Sequence, residues 1–355
     1  MESLDNIAML APSIEPNFKK KFWKFLSRWY GENGFKYPWR KSPTPYSVLV
    51  SEFMLQQTQA ETVVPYFLAW MEKFPDWESL AKAQEKEVLR AWEGLGYYSR
   101  ARNLHRIAVM LYHERKGELP SDPEELMKFP GIGPYTANAV ASLAFGRKTP
   151  ALDGNVIRVM ARLMNINQPI HKKETIRTIF QVVDSLMQGE AEASLFNSAL
   201  MDFGRAVCKP KYPRCFACVL KEMCKAKQPE LLPLRTKIEI EEKKEKIAII
   251  REDDRFWLQQ ANSNQNRYRG LWLFPYFDPD VMEEKAPLFF LRHSFTRYKI
   301  LLEVCEASWN KERLKMMPIE GQWVKKKEIF SLPLPSPHRK IWLQLLSKDE
   351  TNKGP

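Results

Sequence analysis

The chain contains no run of about eighteen apolar residues, so none of its helices is expected to span a membrane. Its opening, Met1-Glu-Ser-Leu-Asp-Asn6, lacks the basic and apolar regions of a secretory signal. A cytoplasmic protein is therefore expected, nucleoid-associated if its source is bacterial. Acid is in deficit: 43 Asp and Glu face 55 Lys and Arg, a net charge of +12, which favours a polyanionic partner. Cysteine is scarce, five in 355 residues, and four of the five lie between positions 208 and 224. So tight a cluster in a chain without an export signal reads as a metal site sooner than as a disulfide framework. What is present is a hydrophobic fraction of 44%, enough for real cores, and length enough for two domains.

One stretch organises the rest. Asp122-Pro-Glu-Glu125 reads as a helix start, with Asp122 as cap, Pro123 in the first turn and Glu125 closing a capping box. Pro130 stops that helix and Pro134 opens another, rich in Ala137, Ala139, Ala141 and Ala144. Between them Gly131 and Gly133 are expected to allow a tight turn. Helix, glycine hairpin and helix aim free N–H groups at one external point, an anion site suited to a nucleic-acid phosphate. The plain alternative is an ordinary helical corner.

Phe18, Phe22, Phe25, Leu26 and Trp29 recur at helical spacing and read as a core-facing helix, ended by Pro38-Trp39-Arg40. In the next helix a single carboxylate, Glu52, stands among Val48, Val50, Phe53 and Met54. A lone glutamate on a helix often marks a solvated face. Here its neighbours predict a dry place, where desolvation raises the carboxyl pKa and makes a proton donor near neutrality. Gln56-Gln57-Thr58-Gln59 follows, uncharged and rich in donors and acceptors, able to read base edges or to form a polar seam between helices. Residues 61–118 read as three or four helices. Among them, Tyr97-Tyr98 with Arg100 and Arg102 suits base stacking with phosphate contact, or core with surface charge. The spacing Cys208-x6-Cys215-x2-Cys218-x5-Cys224 holds either tetrahedral zinc or an iron–sulfur cluster. Residues 226–244 read as a linker. Beyond it, Ile247–Ile250 and Arg255–Gln260 predict a hairpin, Tyr298–Glu303 another strand, Pro337–Leu346 a last helix, and Cys305 a buried small hydrophobe.

Phe129-Pro-Gly-Ile-Gly-Pro-Tyr-Thr-Ala-Asn138 followed by Leu152-Asp-Gly-Asn155 resembles the helix-hairpin-helix DNA glycosylases of the endonuclease III superfamily. Ser51-Glu-Phe-Met-Leu-Gln-Gln-Thr-Gln59 resembles the signature of the adenine DNA glycosylases within it, as do Pro38-Trp39-Arg40 and Gly94–Leu104. The resemblance runs from about residue 18 to 225. It implies an all-α helix-hairpin-helix domain at 17–225 after a flexible tail at 1–16. The cysteine spacing is similar to that superfamily's 4Fe–4S loop, here 208–224. Gly270-Leu-Trp-Leu-Phe-Pro275 resembles a segment of the α+β Nudix-like domain that ends these enzymes, placed at 245–349. No Nudix catalytic box occurs, so that domain is expected to bind and not to hydrolyse.

The resemblance also implies roles. Glu52 would protonate adenine N7. Asp153 would stay ionised and stabilise the sugar cation, and Asn155 would position water or Glu52. Tyr135 stands where bifunctional relatives carry a Schiff-base lysine, so strand cleavage is not expected. DNA contacts fall to Arg40, Leu55, Gln56, Gln57, Gly131 and Gly133, with Tyr97 as a wedge. Phe295, Thr296 and Arg297 replace the family's Phe-Ser-His 8-oxoguanine loop, Arg297 adding phosphate affinity. The implied partner is duplex DNA with adenine opposite 8-oxoguanine or guanine, bound by a monomer. Two alternatives stand: a thymine or uracil mismatch glycosylase, and a non-catalytic damage-binding protein.

Overall fold

The computed structural model describes residues 14–187, 189, 192–235, 239–261, 268–280, 282–295, 297–309 and 321–351. Thr296 and most of the expected tail lie outside the described residues. The chain forms two compact units, Met1–Ala83 with Asn103–Thr236, and Gln84–Arg102 with Lys237–Pro355.

The first unit is helical. Helix α1 (Pro16–Asn33) buries Phe22, Leu26 and Trp29, as its periodicity predicts. Pro38-Trp39-Arg40 makes a turn of its own, α2 (Pro38–Lys41). Helix α3 (Pro45–Leu55) starts from a reciprocal cap between Thr44 and Ser47, and residues 46 to 54 are all buried. A helix apolar all round belongs inside, and this one carries Glu52 in with it. Helices α4 (Ala60–Lys73) and α5 (Trp77–Lys82) follow. Helix α6 (Glu85–Ala91) belongs to the second unit, and α7 (Ser99–Glu114) runs across the division.

The hairpin is α8 (Pro123–Leu126), a turn, and α9 (Pro134–Phe145). Asp122 caps α8 as expected, accepting from the N–H groups of Glu124 and Glu125 at 2.9 and 3.2 Å. Glu125 closes no capping box; α8 is a single turn, and its carboxylate pairs instead with Lys128 and Arg115. Of the two glycines only Gly131 has a left-handed backbone, φ +79°, with Asn103 Nδ2 just 2.5 Å from where a Cβ would sit. Gly133 has φ −93°, which any residue adopts. Helices α10 (Gly154–Leu163), α11 (Lys173–Leu186) and α12 (Ala193–Ala206) close the bundle around Phe22, Met160, Ile179, Val183, Phe196 and Phe203.

The second unit joins α6 and residues 92–102 to the C-terminal sheets. Strands β1 (Glu241–Ile249), β6 (Tyr298–Trp309) and β5 (Met282–Phe295) form one sheet in the order β1-β6-β5, β1 parallel to β6. Strands β2 (Arg251–Glu252), β3 (Arg255–Gln260) and β4 (Trp272–Leu273) form the other, with β7 (Gly321–Lys325) paired to β3. Helix α13 (Ser336–Thr351) packs Ile341, Trp342 and Leu345 among Ile247, Phe256, Leu302 and Val304. The run Glu241–Lys246, read from sequence as linker, is strand. Charge on an edge strand guards it against pairing with other chains, and Lys246 is tied to Glu284 and Glu303. Residues 84–102, placed by sequence amid the helical domain, pack with the C-terminal unit because its backbone supplies their partners, described below.

Candidate active site

Helix α10 begins at Asp153. Its Oδ1 accepts from the N–H groups of Asn155 and Val156, at 2.9 and 2.7 Å, and so caps the helix. Its Oδ2 accepts from Asn155 Nδ2 at 2.6 Å. Glu52 comes from the end of α3 and Tyr135 from the first turn of α9. Together these residues line a cavity of about 1180 Å³. Arg40, Leu55, Gln56 and Gln57 line it too. Gln56 Nε2 donates to Thr136 Oγ1 at 3.3 Å, joining α3 to α9. Gln57 has φ +57°, a strained state that clusters at functional sites. Gly131 and Gly133 are not among the cavity's lining; their turn opens α9, whose first N–H groups have no side-chain cap.

Glu52 is 3% exposed, and burial pushes its carboxyl from an ordinary 4.5 up to about 7. The Asp153 charge adds to the rise, while the Tyr135 hydroxyl bonded to Glu52 and the Arg40 charge oppose it. Its Oε2 has no hydrogen-bond partner among the described residues. Burial raises Asp153 as well, against the Val156 and Asn155 N–H groups, the Asn155 amide and the Arg158 charge, all of which favour its carboxylate. Tyr135 is driven far above a free phenol, first by burial and then by the two carboxylates, so it stays a donor. The side-chain hydrogen bonds of Asn155 run to Asp153 and Arg158. Gly204 of α12 permits this: a Cβ there would stand 2.7 Å from Asn155 Cβ.

Arg40 is paired within the cavity wall. It donates to Asp202 Oδ2 at 2.7 Å, and Asp202 also accepts the Phe35 N–H at 2.9 Å. Asp202 and Arg205 on α12 are cavity residues that the sequence reading missed; Arg205 pairs with Glu61 and donates to the Tyr37 hydroxyl. Their signal was available: the one carboxylate of α12, set beside Leu200, Met201 and Phe203, with an arginine three residues on.

Two buried arginines of α10, also missed, support the cysteine loop. Arg158 donates to the carbonyls of Cys208 and Gly204 and to Asn155 Oδ1, at 2.7, 2.8 and 2.8 Å. Arg162 donates to the Lys209 and Pro210 carbonyls at 2.6 and 3.0 Å and to Cys208 Sγ at 3.4 Å. Among the described residues no group of three or more His, Cys, Asp or Glu stands in a metal-holding arrangement. The donor chemistry nonetheless fits a thiolate-bound group. Burial first, then Cys208, Cys224 and Cys215, raise the Cys218 thiol to about 11 against the Leu220 N–H, so the four thiols share one neighbourhood.

In the second unit Tyr97 and Phe295 meet, ring centroids 5.8 Å apart. Arg100 is buried, donating to the Leu95 and Gly96 carbonyls, and Arg102 pairs with Glu85. Arg297 is exposed but bound to Glu241 at 2.8 Å, with a further bond to the Tyr298 hydroxyl.

Cleavage of a glycosidic bond commonly uses two carboxyl groups, one to protonate the leaving group and one to act on the sugar, and Glu52 and Asp153 both line this cavity. Residues 50–184 match the HhH-GPD superfamily of base excision DNA repair proteins. The fold is similar to a thermostable thymine-DNA glycosylase, with a TM-score of 0.54 and 27% identity over 58% of this chain and 95% of that one. A trapped endonuclease III–DNA covalent intermediate gives 0.50 and 26% over the same shares. Fold and site thus define a helix-hairpin-helix base excision DNA glycosylase. The adenine DNA glycosylase of Buchnera aphidicola subsp. Schizaphis graminum is 31% identical over 340 residues, 90% of this chain and 97% of that protein. The human one is 39% identical over 212 residues, 57% of this chain and 39% of its own length. The chain belongs to the adenine DNA glycosylase family.

Proposed function

We propose that this glycosylase hydrolyses the bond between deoxyribose and an adenine mispaired with 8-oxoguanine or guanine. The observation that carries this reading is Glu52: buried, pushed to about 7, and lacking a partner on Oε2. The base leaves the duplex to reach the cavity. Glu52 gives its proton to adenine N7. The C1′–N9 bond breaks with its electron pair going to the base, and positive charge grows on the sugar. The Asp153 carboxylate stabilises that cation. Water adds to C1′ and surrenders a proton, restoring the acid. Tyr135 has no amine, so no imine forms and the strand stays intact.

The cysteines Cys208, Cys215, Cys218 and Cys224 would hold a 4Fe–4S cluster, which supplies no step in base release. The C-terminal sheets are read as a Nudix-like domain that senses the base opposite the adenine, through Phe295 and Thr296, with Tyr97 as the wedge. The Glu241 pairing leaves Arg297 a weak phosphate contact.

The test is base release from duplexes carrying adenine opposite 8-oxoguanine, guanine or cytosine, and thymine opposite guanine. Adenine should leave fastest opposite 8-oxoguanine. Release of thymine alone would establish the mismatch reading, and release of nothing the non-catalytic one.

A further inference from the structure

Within the second unit, residues 92–98 grip one residue of the C-terminal segment at both ends of its peptide. Glu93 Oε1 accepts from the Leu334 N–H at 3.3 Å, and the Tyr98 hydroxyl donates to the Leu334 carbonyl at 3.1 Å. Arg339, in the first turn of α13, donates its Nε to the same Glu93 oxygen at 2.7 Å, and its Nη2 completes the ion pair. Arg90 adds a bond to the Ser331 carbonyl. The pair is shielded, Glu93 being 14% and Arg339 29% exposed, so solvent screens it less than an open surface pair.

Tyr97 sits inside the gripped segment. Its φ is +47°, and that of the preceding Gly96 is +68°. A tyrosine keeps such a backbone only where its surroundings over-determine it. Arg100 lies 5.6 Å from the Tyr97 ring centroid and 5.3 Å from that of Trp92, and it donates to the two carbonyls just before Tyr97, those of Leu95 and Gly96. Across from Tyr97 stands Phe295, the last residue of β5 at the tip of the β5–β6 hairpin.

We propose that Glu93 and Arg339 are positioning residues: through Leu334 and Tyr98, their ion pair fixes Tyr97 against Phe295, so that preference for a damaged partner base depends on two residues acting at second hand. This rests on the function proposed above, in which Tyr97 and Phe295 engage the strand opposite the adenine. The core of the unit, built on Phe256, Val304, Ile341 and Trp342, includes the gripped Leu334 but not the pair. Its loss therefore loosens the aromatic tip before it unfolds the sheets.

The experiment uses the full chain with Arg339→Ala, Glu93→Gln and the conservative Arg339→Lys. Single-turnover adenine release is measured opposite 8-oxoguanine and opposite guanine, with hydrogen exchange of the amides from Leu95 to Tyr98. The first two variants should lower the ratio of the two rates roughly fivefold, a size typical of residues that touch neither ligand. They should do so by slowing the 8-oxoguanine duplex, and they should speed exchange in the segment. Arg339→Lys should recover most of both. Unchanged exchange overturns the proposal, as does faster exchange with an unchanged ratio, or with both rates falling in equal proportion. Should the wild type release no adenine, the functional reading is what fails. The exchange measurement then still decides whether the pair holds Tyr97.

Discussion

Replacing Glu52 by Gln should inactivate the enzyme and stabilise it, in a way that depends on pH. The amide keeps the shape and removes the titration. In the folded chain the carboxyl is raised from 4.5 to about 7. That rise corresponds to roughly 3 kcal/mol of preference for the protonated form, at about 1.4 kcal/mol per tenfold in proton affinity. The folded state binds this proton more tightly than the unfolded one. The wild type therefore loses stability from this group as pH climbs from 4.5 through 7, and loses no more above it. The substituted amide contributes no such dependence. The melting temperature of the variant should match the wild type near pH 4.5 and exceed it by several degrees at pH 8. Adenine release should fall at least ~10²-fold with loss of a positioned acid, and wild-type release should decline as pH rises past 7. Thermal scans of both proteins at the two pH values and single-turnover rates across the range suffice. A stability difference that is the same at both pH values would show that Glu52 is ionised in the folded protein, and the acid role would be lost with it.

Borohydride should trap little protein–DNA adduct in the wild type, since Tyr135 offers no amine; efficient trapping would mean that a lysine elsewhere attacks the sugar. Purified protein should be brown, with about four irons per chain on the four loop cysteines, and stoichiometric zinc after iron-replete anaerobic expression would contradict this. Gly204→Ala should slow base release more than it disturbs DNA binding, because the new Cβ would meet Asn155 Cβ at 2.7 Å and push it from Asp153; unchanged single-turnover rates would count against Asn155 as a positioning group. Asp202→Ala should leave Arg40 inside the cavity wall without its counter-charge, destabilising the fold by about 3 kcal/mol; a chemical-denaturation midpoint equal to wild type would refute that burial argument.

Local chemistry is what the sequence made legible. Asp122 announced its helix. The apolar surroundings of Glu52 announced its dry pocket and the direction of its pKa, and the alternation from Tyr298 to Glu303 announced β6. Long-range partners were not legible. Nothing near Arg40 in the chain points to Asp202, and nothing near Glu93 points to Arg339. The run Glu241–Lys246 misled because charge at a sheet edge and charge in a linker read alike. Arg100 was left open between two readings because an arginine that serves nearby carbonyls has the same spacing as one that serves phosphate.

The bonds around Asp153 run in one direction. The Arg158 guanidinium gives to the Asn155 oxygen, and the Asn155 nitrogen gives to Asp153, which accepts everything and returns nothing. Changing Asp153 to Asn keeps the size of the side chain and still leaves an oxygen for the helix cap, but it sets one NH₂ group against another where 2.6 Å now separates donor from acceptor. Turning Asn155 over would relieve that clash and create the same one with Arg158, which also carries the Cys208 carbonyl. The isosteric amide is thus no silent probe of charge at this position. Its effect would spread down a line of donors that has a proton-accepting end and no way to reverse.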